Sequence, residues 1–459
     1  MKKSHMLSVL ILSFVVLFAA FPVHAEKQQI SLWFWGAEPY SQEALNTILA
    51  DTYNASQDEY ELIIEYRNTV DNDINVALAA GEGPDIVYGS GPAFVMPLAD
   101  AGALAPLDTY SEKYGWKDRI LSPLYDSGTV NGVLYSLGNS VSTMGIFYNK
   151  KVLAENGWEV PTTIDELITV MDEAIDKGMY ASVTGNKGWK PVNENYSSLF
   201  LTHFAGPRAV YNSLTEKEKW NNPRIASAIE KSAEWFNKGY LGGEDYINLN
   251  FSESIQLLAD GKSPFFFGPS IGFQWAASFF VDDKAEDLGF APFPAGEKDV
   301  PYPLYTLGVA CTLSINANSE HKDAAAAILD MMMTPEFMQK MTEAWPGYWG
   351  VPLKDLSAVD TSNMGPLSKS FTEAVRSVSD AINNGNFGYY TNVFFPAATQ
   401  TQFIDIETVW YGEATVSEFL DRVDKEFQVE FEKGSLFSDF FTGNVFNCRF
   451  IQIQLDFIS

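Results

Sequence analysis

The stretch ISLWFWGAEPYSQEAL, residues 30–45, decides the fold. Leu32 and Phe34 point one way and Trp33 and Trp35 the other, so both faces are apolar, as in a strand of a parallel sheet covered by helices. Gly36-Ala37-Glu38-Pro39 ends the strand, and Leu45, Ile48, Leu49 and Tyr53 then recur at helical spacing. A second strand, YELIIEY (60–66), a short helix, DINVALAA (73–80), the Gly81 to Pro84 turn and a third strand, DIVYGS (85–90), follow. Strand, helix, strand, helix, strand begins an open α/β sheet. Such sheets bind ligands outside the carboxyl ends of their strands. The loops Trp35 to Pro39 and Gly89 to Phe94 are therefore expected to open onto one crevice. Trp33, inside the strand, is expected in the core, and Trp35, at its carboxyl end, in the crevice.

Outward from this unit, GIFYNKKVL (145–153) reads as a strand entering a helix. PTTIDELITVMDEAIDKG (161–178) is a helix with Thr163 and Glu166 as its capping box and an apolar stripe of Ile164, Leu167, Ile168, Met171 and Ile175. PRIASAIEKSAEWFNKGYL (223–241) and HKDAAAAILDMMMTPEFMQKMTEA (321–344) are two more amphipathic helices, the second broken near Pro335. No repeat of 20 to 50 residues is visible. The segment 435–459 is apolar without clear helical or strand periodicity and reads as an atypical tail.

Lys2 and Lys3, an apolar run from about Met6 to Ala20 and the small-x-small pattern Val23-His24-Ala25 make residues 1–25 a signal peptide cleaved on export. No cysteine near that site offers a lipoprotein anchor, so the mature chain is expected free in the periplasm or secreted. Its formal charge of -29, or -31 once Lys2 and Lys3 are gone, argues against nucleic acid and anionic membrane surfaces as partners. Cys311 and Cys448 are the only cysteines, which excludes a disulfide scaffold; Cys311 reads as a small core residue, with a 311–448 bridge as the alternative. About 430 mature residues exceed what one core usually supports, so two domains are expected.

The sequence offers little catalytic chemistry. The mature chain has only His203 and His321, far apart, which fits neither a metal-ligand set nor a Ser-His-acid triad. G-x-S-x-G, H-E-x-x-H and P-loop patterns are absent, and DNDINVALAAGEG lacks the glycine and distal glutamate of a calcium loop. No catalytic residue, metal or cofactor is expected. A glycoside hydrolase needs only two carboxylates and an aromatic cleft, and with 59 acidic residues and 11 Trp, 21 Tyr and 33 Phe that class stays open. Glu38 would be its best single acid.

Six stretches in family order resemble the bacterial extracellular solute-binding proteins of the maltose-binding type, which feed ABC sugar importers. They are GEGPDIVYGSG (81–91), LADAGALAPLD (98–108), GVLYSLGNSVSTMGIFYNKKVLAENGWEVPTTIDEL (132–167), LLADGKSPFFFGPS (257–270), LGFAPFPAG (288–296) and AAAAILDMMMTPEFMQKMTEAWPGYWGVPL (324–353). The resemblance implies a two-lobed α/β fold that closes over solute. It places residues 26–140 and 288–333 in the first lobe and 141–287 and 334–434 in the second. Carried over position by position, the ligand residues would be Trp35 and Glu38, Ser90 and Phe94, and Asn139 and Ser142 at the first crossing. The second lobe would add Trp189 and Phe273 as ring platforms, with Tyr305, Gly308, Trp345, Tyr348 and Trp349 completing the set. Sugars suit such walls, because their C–H faces stack on rings while their hydroxyls need a few placed polar groups. The loops after the first and third strands carry Glu38 and Ser90 where the best-known members have a dense charged set, which implies a different hydroxyl pattern from maltose.

The reading that follows is a monomeric, exported binding component of an ABC importer, not an enzyme, with a mono- to oligosaccharide as ligand and the membrane permease subunits as partner. A secreted carbohydrate-active enzyme, a sensor subunit and a polyamine binder on the same fold are the competing readings.

Overall fold

The computed structural model describes residues 27–432. The signal peptide, the 435–459 tail and Cys448 lie outside the described residues. The strands are β1 (Gln28–Trp35), β2 (Tyr60–Arg67), β3 (Ile86–Gly89), β4 (Thr129–Val130), β5 (Val133–Leu134) and β6 (Ser136–Gly138), followed by β7 (Met144–Asn149), β8 (Phe265–Pro269), β9 (Leu288–Ala291), β10 (Tyr305–Leu307), β11 (Thr312–Ile315) and β12 (Phe387–Tyr389). The first lobe is built on a five-stranded sheet in the order β2-β1-β3-β11-β6, and the second on a three-stranded sheet in the order β8-β7-β9. β1 runs parallel to both β2 and β3, whereas β11 is antiparallel to β3 and β6. The register sets Trp35 beside Arg67 and Gly89 beside Thr312, so the carboxyl ends of β1, β2 and β3 share one edge of the sheet.

The alternation in the opening stretch is resolved unequally. Ile30, Leu32 and Phe34 are fully buried, while Ser31, Trp33 and Trp35 on the other face are half-buried. Ser31 is held there by Asp85, whose Oδ2 accepts from the Ser31 N–H at 2.8 Å and from its hydroxyl at 3.0 Å. Trp33 packs on the core and is capped by a guanidinium: the Arg67 group lies 3.4 Å from its ring centroid. Trp33 thus lies at the margin of the core, as its place in the strand suggests, and is short of full burial because Arg67 of the neighbouring strand covers its outer side. After the Gly36 break the chain forms the helix Pro39–Leu45, one wide turn over Asn46–Asp51 and the helix Thr52–Ser56, which bury Leu45, Leu49 and Tyr53 as their spacing requires.

Elsewhere the local signals hold. The helix Ile164–Asp176 carries the Thr163/Glu166 capping box, and Thr334 caps a new helix, Pro335–Ala344, after Lys322–Met332 ends. The lobe boundaries fall differently from the expectation. β9 pairs with β7, so residues 288–291 lie in the second lobe's sheet. Pro335–Ala344 folds back on the first lobe, against the helix Pro39–Leu45, because the Pro335 break turns the chain without carrying it across. The chain stays there to Leu353, which bridges to Ile120. The helix Pro366–Asn383 then packs on β9 and β10.

Three segments cross between the lobes and are tied to one side chain. Asn139 accepts from the Cys311 N–H at 2.8 Å and donates to the Tyr348 carbonyl at 3.0 Å. Alongside, Ser142 and Gly308 exchange both backbone hydrogen bonds, at 2.8 and 2.7 Å, and Val141 donates to the Gly350 carbonyl at 2.6 Å. Cys311 is buried and has no disulfide partner among the described residues. Among the described residues, no helix is long and apolar enough to cross a membrane and no His, Cys, Asp and Glu group could hold a metal ion.

Two buried titratable groups in the second lobe oppose each other. His203 is fully buried against Phe293, neither ring nitrogen has a hydrogen-bond partner, and burial pushes its pKa down to about 3. The unfolded chain protonates that imidazole near pH 6.5, so its contribution is full above 6.5 and is lost as pH falls toward 3. Glu194 is pushed up to about 7 by burial, against the bonds its carboxyl accepts from Gln400 and Thr391. Its contribution is full below about 4.5 and is lost as pH rises through 7. His203→Leu is expected to gain about 2 kcal/mol relative to the parent between pH 8 and pH 5, at about 1.4 kcal/mol per unit below 6.5. Urea denaturation at both pH values checks this; an unchanged difference would mean that His203 titrates normally in the fold.

Candidate functional site

At the end of β1 the chain turns at once: the Ala37 N–H returns to the Trp35 carbonyl at 2.8 Å. A Cβ on Gly36 would sit 2.1 Å from Asn68 Oδ1, so glycine lets the β1 and β2 loops touch. Glu38 is exposed and its side chain makes no capping bond to the helix that follows. At the end of β3, Ser90 is exposed, Gly91 has φ +144° and Phe94 is half-buried. Facing Ser90 is Asp71, in the first turn of the helix Val70–Ala79 after β2. Burial raises the Asp71 pKa, Ser90 works against that shift, and Asp71 Oδ1 is buried without a hydrogen-bond partner.

The loop WPGYWG folds its rings onto β1. Trp345 and Tyr348 stack with centroids 4.5 Å apart and planes 9° from parallel, and Trp35 tilts over both at 6.1 and 5.7 Å. On the opposite face of β1, Trp349 stacks on Phe34 at 6.1 Å. The indole N–H groups of Trp35 and Trp349 are buried without partners. The Tyr348 hydroxyl lies beside Cys311 and Tyr88 without a well-formed hydrogen bond, and burial followed by those neighbours raises its pKa far above the usual phenol value. A buried polar group left unpaired costs about 1–3 kcal/mol.

From the second lobe, the segment Tyr390–Asn392 reaches the first. A Cβ on Gly91 would lie 3.1 Å from the Asn392 carbonyl, and Asn392 Oδ1 is another buried acceptor without a partner. This segment is fixed from below by the helix Asn193–Phe200. The Tyr390 hydroxyl donates to Asn195, the Thr391 N–H to Ser198 at 3.1 Å, and the Thr391 hydroxyl to Glu194 at 2.8 Å.

The structure thus brings Trp35, Ser90 and Phe94 to one edge, with Trp345 and Tyr348 buried behind the Trp35 ring, and places other expected residues elsewhere. Phe273 is fully buried between Phe147, Phe290 and Phe371, in the core of the second lobe, and presents no free ring face. Trp189 is 54% exposed and precedes Lys190, which pairs with Asp405 and Glu407 on the second lobe. Tyr305 is buried with its hydroxyl on Ser377. Asn139, Ser142 and Gly308 belong to the crossing described above, where the Asn139 amide is committed to backbone. Asp71, Tyr390 and Asn392 were not expected. Asp71 could have been found by applying the strand-end rule to β2 as well as to β1 and β3, whereas Asn392 lies in a segment with no motif and is brought to the edge only by the packing of the second lobe.

The bacterial extracellular solute-binding protein family matches residues 49–369, and the chain belongs to that family. It is 27% identical over 331 residues to the maltotriose-binding protein of Pyrococcus abyssi, covering 72% of this chain and 68% of that relative. It is 23% identical over 395 residues to the sn-glycerol-3-phosphate-binding periplasmic protein of Escherichia coli, covering 81% and 86%. A solved chitin oligosaccharide binding protein shares the fold with a TM-score of 0.71 at 20% identity, over 88% of this chain and 99% of that one. The family consists of binding proteins, so this chain is a solute-binding protein and not an enzyme.

Proposed function

We propose that this solute-binding protein takes up an uncharged mono- to oligosaccharide outside the cytoplasm and delivers it to the membrane subunits of an ABC importer. One observation carries the ligand class: rings of Trp35, Trp345 and Tyr348 share an edge with buried unpaired donors and acceptors, including Trp35 Nε1 and Asp71 Oδ1. Ring faces take the C–H surface of a sugar, and the unpaired atoms take its hydroxyls. We assign ligand contacts to Trp35, Asp71, Ser90 and Asn392, with Glu38 and Phe94 at the rim and the buried Trp345 and Tyr348 backing the Trp35 ring. The moving units are residues 27–138 with 312–353, and 144–307 with the chain from Pro366 onward. The leader is read as removed and the mature protein as a periplasmic or secreted monomer.

The glycerol-phosphate-binding relative raises a phosphorylated solute as a second reading. A phosphate needs cationic donors. At the three parallel strand ends the cation is Arg67, which pairs with Glu65 at 2.7 Å and lies near Asp73 at 3.6 Å and over Trp33. The two carboxylates offset its charge and leave its buried Nε as a single unpaired donor, short of the cationic cluster a phosphate needs, which favours an uncharged ligand.

A thermal-shift panel of maltotriose, chitin oligosaccharides, raffinose, sn-glycerol-3-phosphate and spermidine tests the choice. A true ligand at 100 times its dissociation constant adds about 2.7 kcal/mol of stability. We expect that shift from a neutral sugar, with no product formed on incubation. A shift from sn-glycerol-3-phosphate or spermidine alone would overturn the assignment.

A further inference from the structure

We infer that Gln274 and Tyr40 form a clasp that holds the two lobes closed and sets the orientation of Trp345 in the binding wall. Gln274 lies in the short helix Phe273–Ala276 of the second lobe, anchored by the burial of Phe273. Two donors from the first lobe meet it. The Tyr40 hydroxyl, one residue into the helix after β1, donates to the Gln274 carbonyl at 3.0 Å, and the Trp345 indole N–H donates to Gln274 Oε1 at 3.2 Å. The approach is close enough to require glycine at the contact: a Cβ on Gly347, which has φ +101°, would lie 2.6 Å from the Gln274 N.

Both bonds join residues of different lobes, and the clasp requires that opening of the lobes breaks them. Their partners differ in kind. Tyr40 is partly exposed and carries no role in the ring wall, so its bond acts on closure alone. Trp345 is itself fully buried, stacks on Tyr348 and leans on Trp35, so its bond to Gln274 also fixes the stack behind the Trp35 ring, which faces the proposed ligand. Gln274 is therefore a positioning residue: it acts through Trp345 and converts closure into a fixed ring. A ligand held under that ring leaves only after the clasp opens, so losing the clasp should speed release and leave capture nearly unchanged.

The inference rests on the reading of the molecule as a binder that closes, not on which solute it binds. Tyr40→Phe and Gln274→Ala in the mature chain test it by two measurements. In small-angle scattering without any solute, both variants are expected to show a larger radius of gyration than the parent; equal radii overturn the clasp. In stopped-flow Trp fluorescence with maltotriose, or with whichever panel sugar gives the thermal shift, each variant is expected to raise the dissociation rate about 2- to 10-fold, the range of one net hydrogen bond, with the association rate unchanged. An unchanged dissociation rate, or a drop confined to association, overturns it. Melting of the solute-free variants controls for folding: a fall in melting temperature of Tyr40→Phe that accounts for the weaker binding makes the contact merely structural and sinks the inference. If no sugar binds at all, the carbohydrate reading fails while the scattering comparison still decides the clasp.

Discussion

Phe34→Ala is expected to destabilise the first lobe by about 3–5 kcal/mol, the range for truncating a fully buried large aromatic. Phe34 is inaccessible to solvent and sits at the centre of a ring cluster: Tyr88 at 5.2 Å, Tyr348 at 6.0 Å, Trp349 at 6.1 Å, Tyr66 at 6.3 Å and Trp345 at 6.4 Å. Its strand pairs on both sides, with β2 and β3, so the surrounding backbone has little room to collapse into the space left behind. Edge-to-face contacts worth about 0.5–1.5 kcal/mol per pair are lost with the transfer term. Urea denaturation of the solute-free variant, with the second lobe's transition as internal reference, measures the loss. A cost under about 1 kcal/mol would mean that the cluster repacks and that the ring wall is not rigid.

Trp35→Ala, one residue further on, is expected to reverse the balance, lowering carbohydrate affinity about 100-fold while costing less stability than Phe34→Ala. Buried interface tryptophans reach hot-spot magnitudes of about 2 kcal/mol or more, and about 2.7 kcal/mol corresponds to that factor. Trp35 is half-buried, leans on both Trp345 and Tyr348, and offers an N–H that no group among the described residues accepts. Titration calorimetry with the panel sugar reads the affinity. Trp33→Ala is the matched control on the same face, since Trp33 is covered by Arg67; equal affinity losses in the two variants would show that the strand, not the Trp35 ring, matters.

The contrast between these neighbours shows what the sequence could tell and what it could not. The α/β class, the order of the first three strands and the edge they share were legible because hydrophobic period and loop residues are local properties. The Thr163/Glu166 cap and the Pro335 break were legible for the same reason. Which aromatic faces solvent was not: Phe273 and Trp189 look alike as apolar residues in loops, and only the packing of Phe147, Phe290 and Phe371 makes one of them core. The boundary at residue 334 failed because a helix break does not reveal on which lobe the next helix lands. Asn392 was invisible for a third reason, since it is brought to Gly91 by tertiary contacts across most of the chain. Fold was read from short-range periodicity, and the site is assembled from long-range contacts.

The grip of Asn139 on all three crossing segments has a mechanical consequence. Shear at this joint is opposed, because sliding either neighbouring segment past Asn139 breaks a hydrogen bond of that side chain. A rotation of the lobes about Asn139 would keep both bonds, and it would put its torsion on the short links between Asn139 and β7 and between β10 and β11.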